Sequence, residues 1–248
     1  MPISEMTSPH RQKARQPDAG PKGAIVFDLD GTLIDSAPDL HAALNQVLAE
    51  ERTGPVTLEQ TRGFIGHGIA HLVHAARLAC GIDPDREGAM TVSMFSHYMA
   101  APARLSRPYP GAIACLDALL ANGHPLGLCT NKAIAPTRMI LKELGLERFF
   151  SVVIGGDSVP QKKPDPAPLL AAFAPLGTPH FYVGDSEVDA ETAHAAGIPF
   201  ALHTKGYRKT PLSELPHTLA FDDFTRLVAL LSQSDETDQE TATPHDHR

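Results

Sequence analysis

Short apolar runs alternate with amphipathic stretches over most of the chain. Five runs stay uncharged up to their last residue and are mainly apolar: 24–28, 125–130, 151–155, 180–185 and 199–203. Strands that are buried on both faces of a sheet have this composition. We therefore predict five strands of a parallel sheet.

Helical periodicity fills most of the intervals between these runs. The pattern predicts helices over 112–121, 136–144, 167–176 and 188–196. Gly123, Gly145 and Gly197 provide stop signals after the first, second and last of these helices. A repeated order of strand, helix and strand requires right-handed crossovers, which place helices over a parallel sheet. The predicted fold class is therefore α/β, with a Rossmann-like parallel sheet covered by helices.

One interval is much longer than the others. The first two runs lie almost a hundred residues apart, whereas a crossover needs only a dozen or more. Residues 38–107 have helical spacing, with Leu40 and Leu44 on one face, and predict a small helical cap inserted after the first strand. The catalytic core would then comprise 23–37 and 108–231. Ligands bind at the carboxyl ends of the strands in such sheets, so the cap would cover that site.

Both ends of the chain are polar and lack periodicity. Residues 1–22 predict a disordered N-terminal extension, and residues 232–248 predict a disordered acidic tail. The few cysteines, Cys80, Cys115 and Cys129, form no closely spaced pair, which argues against disulfides and thiolate zinc sites. No secretory signal is recognisable at the N-terminus, and we expect a cytoplasmic protein.

Charge and hydropathy exclude several function classes. The formal net charge is −8, so neither nucleic acid nor an anionic membrane surface would attract the protein electrostatically. No apolar run approaches the roughly 20 residues that span a bilayer. We expect no nucleic-acid partner and no membrane partner, and a protein that is a monomer or a homodimer.

Polar residues follow three of the five runs at the point where each predicted strand ends. Asp28 and Asp30 follow the first run, Thr130 the second, and Asp185 and Asp189 the fourth. Carboxylates gathered at one edge of a sheet would repel one another unless a cation lay among them. Oxygen ligands select a hard ion, and Mg²⁺ is usual where phosphate is also bound.

The first acid pair has a spacing suited to chemistry. Residues i and i+2 of a strand point the same way, so one of Asp28 and Asp30 would attack an electrophile while the other handles the proton. Lys163 would balance a transferring phosphoryl group. Taken alone, each signal has an ordinary explanation: a chance acid pair, a solvated lysine, or an acid cluster at a helix N-terminus. Their joint order along the chain points to one site.

Four segments resemble the motifs of the haloacid dehalogenase-like hydrolase superfamily. They are Asp28-Leu-Asp-Gly-Thr-Leu-Ile-Asp-Ser36, Thr130-Asn-Lys132, Lys163-Pro-Asp-Pro166 and Gly184-Asp-Ser-Glu-Val-Asp189. The resemblance covers 23–231 and implies a phosphoryl-transferring hydrolase of α/β fold with a helical cap.

Further segments are most similar to bacterial phosphoglycolate phosphatases. They are Gly63-Phe-Ile-Gly-His-Gly68, Val152-Val-Ile-Gly-Gly-Asp157 and the tandem Lys162-Lys163. His67 departs from the Asn expected there. The resemblance implies hydrolysis of 2-phosphoglycolate to glycolate and phosphate.

The resemblance also implies a role for each motif residue. Asp28 would be the nucleophile that forms a phospho-aspartyl intermediate, and Asp30 the general acid and base. Thr130 and the Asn131 N–H would bind the phosphoryl oxygens, and Lys163 would balance the charge on them. The three ligands of Mg²⁺ from the chain would be the Asp28 carboxylate, the Asp30 main-chain carbonyl and Asp185.

Roles outside the motifs are less constrained. Asp189 would orient Lys163 or a metal-bound water. Arg62 and His67 are the candidates for contacting a substrate carboxylate, although each reads equally well as a surface residue.

Other functions remain open within the same fold. The presence of Asp30 argues against a carbon–halogen hydrolase, which does not need an acid two residues after the nucleophile. Residues 38–107 contain no lysine for the Schiff base of a phosphonate hydrolase. A β-phosphoglucomutase-like sugar-phosphate mutase keeps the acid pair, and so do other phosphatases of small phosphorylated metabolites. A non-enzymatic phosphate-binding regulatory module would be expected to have lost Asp28, Asp30, Lys163 or Asp185, and all four are present.

Overall fold

The computed structural model describes residues 22–241, and their side chains as far as residue 233. Its elements follow one another as β1 (Ala24–Phe27), β2 (Ile34–Asp35), α1 (Ala37–Glu50), α2 (Leu58–Phe64), α3 (Ile69–Cys80), α4 (Glu87–Ala100), β3 (Arg107–Pro108), α5 (Ala112–Ala121), β4 (Leu126–Cys129), α6 (Ile134–Glu143), β5 (Val152–Ile154), α7 (Ala167–Phe173), β6 (Pro179–Gly184), α8 (Glu187–Ala196), β7 (Phe200–His203), β8 (Leu219–Phe221) and α9 (Phe224–Thr241).

Six strands form one parallel sheet in the order β5-β4-β1-β6-β7-β8. Strand β1 lies in the interior of the sheet, and its Val26 pairs with Gly127 of β4 and Tyr182 of β6. The predicted Rossmann-like α/β fold is confirmed. The sequence predicts five strands and misses β8, because three residues, two of them only half-buried, make too short an apolar run to stand out.

Alternate residues of β1 face opposite sides of the sheet. Ile25 and Phe27 belong to a large core that continues into α1, α3, α4, α5 and α9. Ala24 and Val26 belong to a smaller core beneath α7 and α8. All four residues are fully buried, which explains why this strand reads as a continuous apolar run.

The helices α1 to α4 lie between two short strands that pair with each other. Ile34 of β2 is opposite Pro108 of β3, and Asp35 is opposite Arg107, in an antiparallel arrangement. The chain therefore leaves the sheet and returns to it side by side. The pairing of β2 with β3 gives a physical basis for the predicted division into a core and a helical cap. The division itself stays a prediction. We refer to residues 37–100 as the helical segment.

The ends of the chain fall partly outside the described residues. The predicted N-terminal extension lies outside them up to residue 21, and the predicted acidic tail lies outside them from residue 242. Helix α9 continues to Thr241, into the segment for which the sequence predicts disorder. That stretch contains good helix formers such as Glu and Gln and no Gly or Pro, so its local propensity permits a helix. None of the helices in residues 22–241 is both long enough and apolar enough to cross a lipid bilayer.

Candidate active site

Three adjacent strands end beside one pocket. Asp28 follows β1, Thr130 follows β4 and Asp185 follows β6, and the order β4-β1-β6 makes these strands neighbours. Residues distant along the chain therefore converge at the carboxyl edge of the sheet, as the sequence predicts.

All the site residues predicted from the motifs line this pocket: Asp28, Asp30, Thr130, Asn131, Lys163 and Asp185. The helical segment supplies apolar lining that includes Leu40, Ile69, Leu72 and Phe95. The pocket volume is about 190 Å³. On the same scale, a cavity that holds one water molecule has a volume of roughly 10–15 Å³. It therefore admits a ligand of several non-hydrogen atoms.

Three buried carboxylates, those of Asp28, Asp185 and Asp189, gather at the floor of the pocket and below it, with one oxygen of each within 4.8 Å of the others. Asp28 and Asp185 line the pocket itself. Lys163 lies among them, with its Nζ 2.9 Å from Asp28 Oδ1 and 2.7 Å from Asp189 Oδ1. A single ammonium therefore serves two carboxylates, and the cluster keeps an excess of negative charge.

Burial and neighbouring charges act on these carboxyl groups in opposite directions. Burial raises the pKa of Asp28 to about 7, although Lys163 works against that rise. Burial, with Asp189 and Asp28 adding to it, raises the pKa of Asp185 well above its ordinary value. Burial would also raise the pKa of Asp189, but the pair with Lys163 holds that pKa below its ordinary value.

The donor set fits a hard divalent cation. Asp28 and Asp185 offer only oxygen atoms, and a cation between them would favour the ionised forms that burial disfavours. Gly31, at φ +88°, leaves the space beside Asp185 that a Cβ would fill. Asp189 is also engaged by other groups, because its carboxylate accepts hydrogen bonds from Tyr182 (2.7 Å) and the Ser186 hydroxyl (2.6 Å).

Asp185 is held by both of its oxygens. Thr32 Oγ1 donates to Oδ1 at 2.7 Å, and the Tyr207 backbone N–H donates to Oδ2 at 2.6 Å. The Tyr207 hydroxyl meanwhile accepts from the Ser36 N–H at 2.8 Å and donates to Asp35 Oδ1 at 2.7 Å. Tyr207 therefore joins the acid cluster to the start of α1. The sequence gives no signal for this role, since a single tyrosine in a loop has no pattern.

The Asn131 side chain braces two main-chain segments. Its Oδ1 accepts from the Lys163 N–H at 3.1 Å, and its Nδ2 donates at 3.0 Å both to Lys163 O and to Gly66 O. The side chain thus connects the loop between β5 and α7 with the loop before α3. Sequence reasoning assigned a phosphoryl contact to the Asn131 main-chain N–H and gave no role to this side chain.

Asp30 is held by a lysine to which sequence reasoning gave no role. Lys132 Nζ is 3.0 Å from Asp30 Oδ2, and the Ser36 hydroxyl donates to Asp30 Oδ1 at 2.5 Å. The ammonium also donates to the Tyr98 hydroxyl of α4 at 2.9 Å. The available signal was the position of Lys132 directly after Thr130-Asn131, inside the second motif.

The two residues predicted to contact a substrate carboxylate lie elsewhere. Arg62 Nη2 pairs with Asp35 Oδ2 at 3.1 Å, and the exposed His67 ring lies 4.7 Å from the His71 ring between centroids. Neither is among the described residues that line the pocket. The exposed Lys162 does line it.

Comparison with known proteins agrees with this architecture. Residues 25–203 match the family model described as haloacid dehalogenase-like hydrolase. A phosphoglycolate phosphatase of Cereibacter sphaeroides is 51% identical over 84% of this chain and 96% of its own. The phosphoglycolate phosphatase of Rhodobacter capsulatus is 43% identical with the same coverage.

A solved structure has the same fold. The crystal structure of a predicted phosphoglycolate phosphatase from Haemophilus somnus superposes with a TM-score of 0.79 at 30% identity, covering 84% of this chain and 96% of that one. The match of the family model, together with relatives of this identity and coverage, places the chain without ambiguity. The chain belongs to the haloacid dehalogenase-like hydrolase family.

Proposed function

We propose that the protein is a phosphomonoester hydrolase whose substrate is 2-phosphoglycolate, which it converts to glycolate and phosphate. The observation that carries the proposal is the buried Asp28, 2.9 Å from Lys163 at the floor of the pocket, in a chain half identical to an enzyme named phosphoglycolate phosphatase. The mixture of a nucleophilic carboxylate, a neighbouring carboxylate and a buried ammonium suits phosphoryl transfer.

In the first half of the reaction, an oxygen of Asp28 attacks phosphorus and forms a phospho-aspartyl group. The bond from phosphorus to the ester oxygen breaks, and the proton of Asp30 goes to the leaving alkoxide. In the second half, Asp30 takes a proton from water as that water attacks phosphorus. The acyl phosphate bond then breaks and restores the Asp28 carboxylate.

The three phosphoryl oxygens need compensation for their charge. Lys163 is buried beside Asp28, and Thr130 ends the adjacent strand, so we assign phosphoryl contacts to both side chains. Because the Asn131 side chain is engaged with Lys163 and Gly66, its contact would come from the main-chain N–H. The same brace holds Lys163 at its place.

Three oxygen donors of this chain would hold Mg²⁺: the Asp28 carboxylate, the Asp30 main-chain carbonyl and Asp185. When bound, the ion supplies charge neutralisation and orientation for the phosphoryl group. Asp189 acts through Lys163, because that ammonium is 2.7 Å from its Oδ1 and Tyr182 and Ser186 occupy the carboxylate as well.

The carboxylate of the substrate needs a cation near the mouth of the pocket. Arg62 is engaged with Asp35, and His67 does not line the pocket. Lys162 is the exposed lysine that does line it, and no ion pair or hydrogen bond involves its side chain within the described part of the chain. We therefore assign the carboxylate contact to Lys162.

The surroundings of the enzyme belong to the same proposal. The size of the pocket supports a small phosphorylated metabolite as substrate, and the net charge of −8 supports the absence of nucleic-acid and anionic membrane partners. A cytoplasmic location and a monomer or homodimer stay predictions from the sequence.

The test is phosphate release from a panel of phosphomonoesters in the presence of Mg²⁺. The panel contains 2-phosphoglycolate, hexose phosphates and 4-nitrophenyl phosphate, and the Asp28→Asn protein is the blank. We expect the highest kcat/KM for 2-phosphoglycolate. A preference for a hexose phosphate, or transfer of the phosphoryl group to a second sugar hydroxyl instead of to water, would contradict the proposal and favour the sugar-phosphate mutase.

A further inference from the structure

Lys132 is a buried cation that lies between the catalytic edge and the helical segment. Its side chain is 5% exposed, and its ammonium contacts Asp30 Oδ2 at 3.0 Å and the Tyr98 hydroxyl at 2.9 Å. Tyr98 belongs to α4 and is 1% exposed. One partner of the ammonium therefore belongs to the catalytic edge of the sheet and the other to the helical segment.

A buried ammonium keeps its place only while its partners satisfy it. Removing one partner of such a pair leaves an uncompensated charge, which costs several times more than a surface pair contributes. The position of Lys132 therefore depends on Tyr98 as well as on Asp30. A displacement of α4 would remove the hydroxyl and disturb the ammonium.

Both oxygens of Asp30 are held by groups connected to the helical segment. Ser36, which donates to Oδ1 at 2.5 Å, directly precedes α1. Lys132, which holds Oδ2, is bound to Tyr98 two residues before the end of α4. The first and the last helix of the segment are thus both linked to this one carboxylate.

We propose that Lys132 is a positioning residue that transmits the placement of α4, through Tyr98, to the Asp30 carboxylate. This inference rests on the proposed role of Asp30 in proton transfer. With Tyr98 and Lys132 in place, Asp30 is aimed at the leaving oxygen. Without them, the attack of Asp28 on phosphorus is unaffected, and only proton delivery is lost.

The distinguishing measurement is the dependence of kcat/KM on the leaving group. This parameter covers only the steps up to loss of the leaving alcohol. The glycolate alkoxide needs a proton to leave, whereas 4-nitrophenolate leaves without one. A positioning role for Lys132 therefore affects the first substrate and spares the second.

The variants are Lys132→Met and Tyr98→Phe, with Lys142→Met as a matched control away from the pocket. We expect Lys132→Met to lower kcat/KM for 2-phosphoglycolate by about 10²-fold, at the low end of the general-acid contribution. The value for 4-nitrophenyl phosphate should stay within about threefold. Tyr98→Phe should give a smaller loss with the same selectivity, and the double variant should lose no more than Lys132→Met alone.

Several outcomes would overturn the inference. Equal losses on both substrates would make Lys132 a phosphate ligand or a merely structural residue, and independent effects of the two substitutions would remove the link to α4. If Lys132→Met does not fold, the nearly isosteric Tyr98→Phe variant tests the inference alone. A loss of kcat/KM on 2-phosphoglycolate but not on 4-nitrophenyl phosphate supports it, and the absence of that loss overturns it.

The proposed function has its own control. If Asp30→Asn shows the selective loss and the Lys132 and Tyr98 variants do not, only this inference fails. If wild-type protein hydrolyses neither substrate, the proposed function itself fails.

Discussion

The ion pairs at the floor of the pocket and the Arg62–Asp35 pair, which lies outside the pocket lining, are held in different ways. Lys163 and its two carboxylate partners have side chains at most 8% exposed, whereas Arg62 is 42% exposed and pairs with a side chain that is 31% exposed. Breaking a pair of the first kind leaves a charge without water or partner, and a pair of the second kind contributes little. The fold therefore fixes the positions of the charged side chains at the floor, whereas exposed charged side chains can exchange their partner for water.

This difference separates two kinds of functional effect. Substitutions at the floor should reduce the reaction of every phosphoester, since the phosphoryl group is common to all of them. Substitutions near the mouth should distinguish between leaving groups. Lys132 is as buried as the floor, yet its substitution should also distinguish between leaving groups, because its partner is Asp30.

Removing the nucleophile is the strongest test of the floor. We expect Asp28→Asn to lower phosphate release from all phosphoesters on the order of 10⁴-fold or more, the scale on which a hydrolase loses its nucleophile. The variant should fold, because Lys163 keeps its ion pair with Asp189. Circular dichroism checks the folding. Mass spectrometry of acid-quenched wild-type protein should detect a phosphoryl group on residue 28. Full turnover by the variant would exclude the covalent route.

Chelation is the next largest effect and should again be independent of the leaving group. With EDTA, hydrolysis of 2-phosphoglycolate and of 4-nitrophenyl phosphate should fall to background together, and added Mg²⁺ should restore both. The reason is that Asp28 and Asp185 are otherwise two close, buried carboxylates without sufficient positive charge. Turnover that survives thorough chelation would remove the metal from the mechanism.

The floor was largely predictable from the sequence. Asp28, Thr130 and Asp185 each follow an apolar run, and strands of a parallel sheet bring such residues to a common edge. The lysine before Pro164 was recognisable by its order among the motifs. Local patterns sufficed because each residue's position is determined by its own strand or loop, and the sheet supplies the rest.

The contacts of the helical segment were not predictable in the same way. Tyr98 has the spacing of a core residue of an amphipathic helix, and periodicity indicates burial without naming the partner of a hydroxyl group. Arg62 looked like a substrate contact because no pattern pointed to Asp35. The pairing of side chains between separate elements depends on helix packing, which the periodicity does not encode.

Substitution of Lys162 tests whether the mouth of the pocket selects substrates that carry a carboxylate. We expect Lys162→Met to raise KM for 2-phosphoglycolate about tenfold, since a charge-assisted hydrogen bond contributes roughly 1.5–3 kcal/mol. KM for 4-nitrophenyl phosphate, which has no carboxylate, should not change. Lys142→Met is the control for the loss of a surface charge. A similar rise for both substrates would mean that Lys162 senses the phosphate instead.

Arg62→Ala should have the smallest effect, although the arginine was the first candidate for the substrate carboxylate. Its guanidinium is engaged with Asp35, and both side chains are partly solvated, so the pair is worth about 0–1 kcal/mol. We therefore expect KM for 2-phosphoglycolate to stay within about twofold and the free energy of unfolding to fall by no more than about 1 kcal/mol. Steady-state kinetics and urea unfolding measure the two quantities. A tenfold rise in KM for 2-phosphoglycolate alone would show that Arg62 leaves Asp35 for the substrate, and it would transfer to Arg62 the role assigned to Lys162.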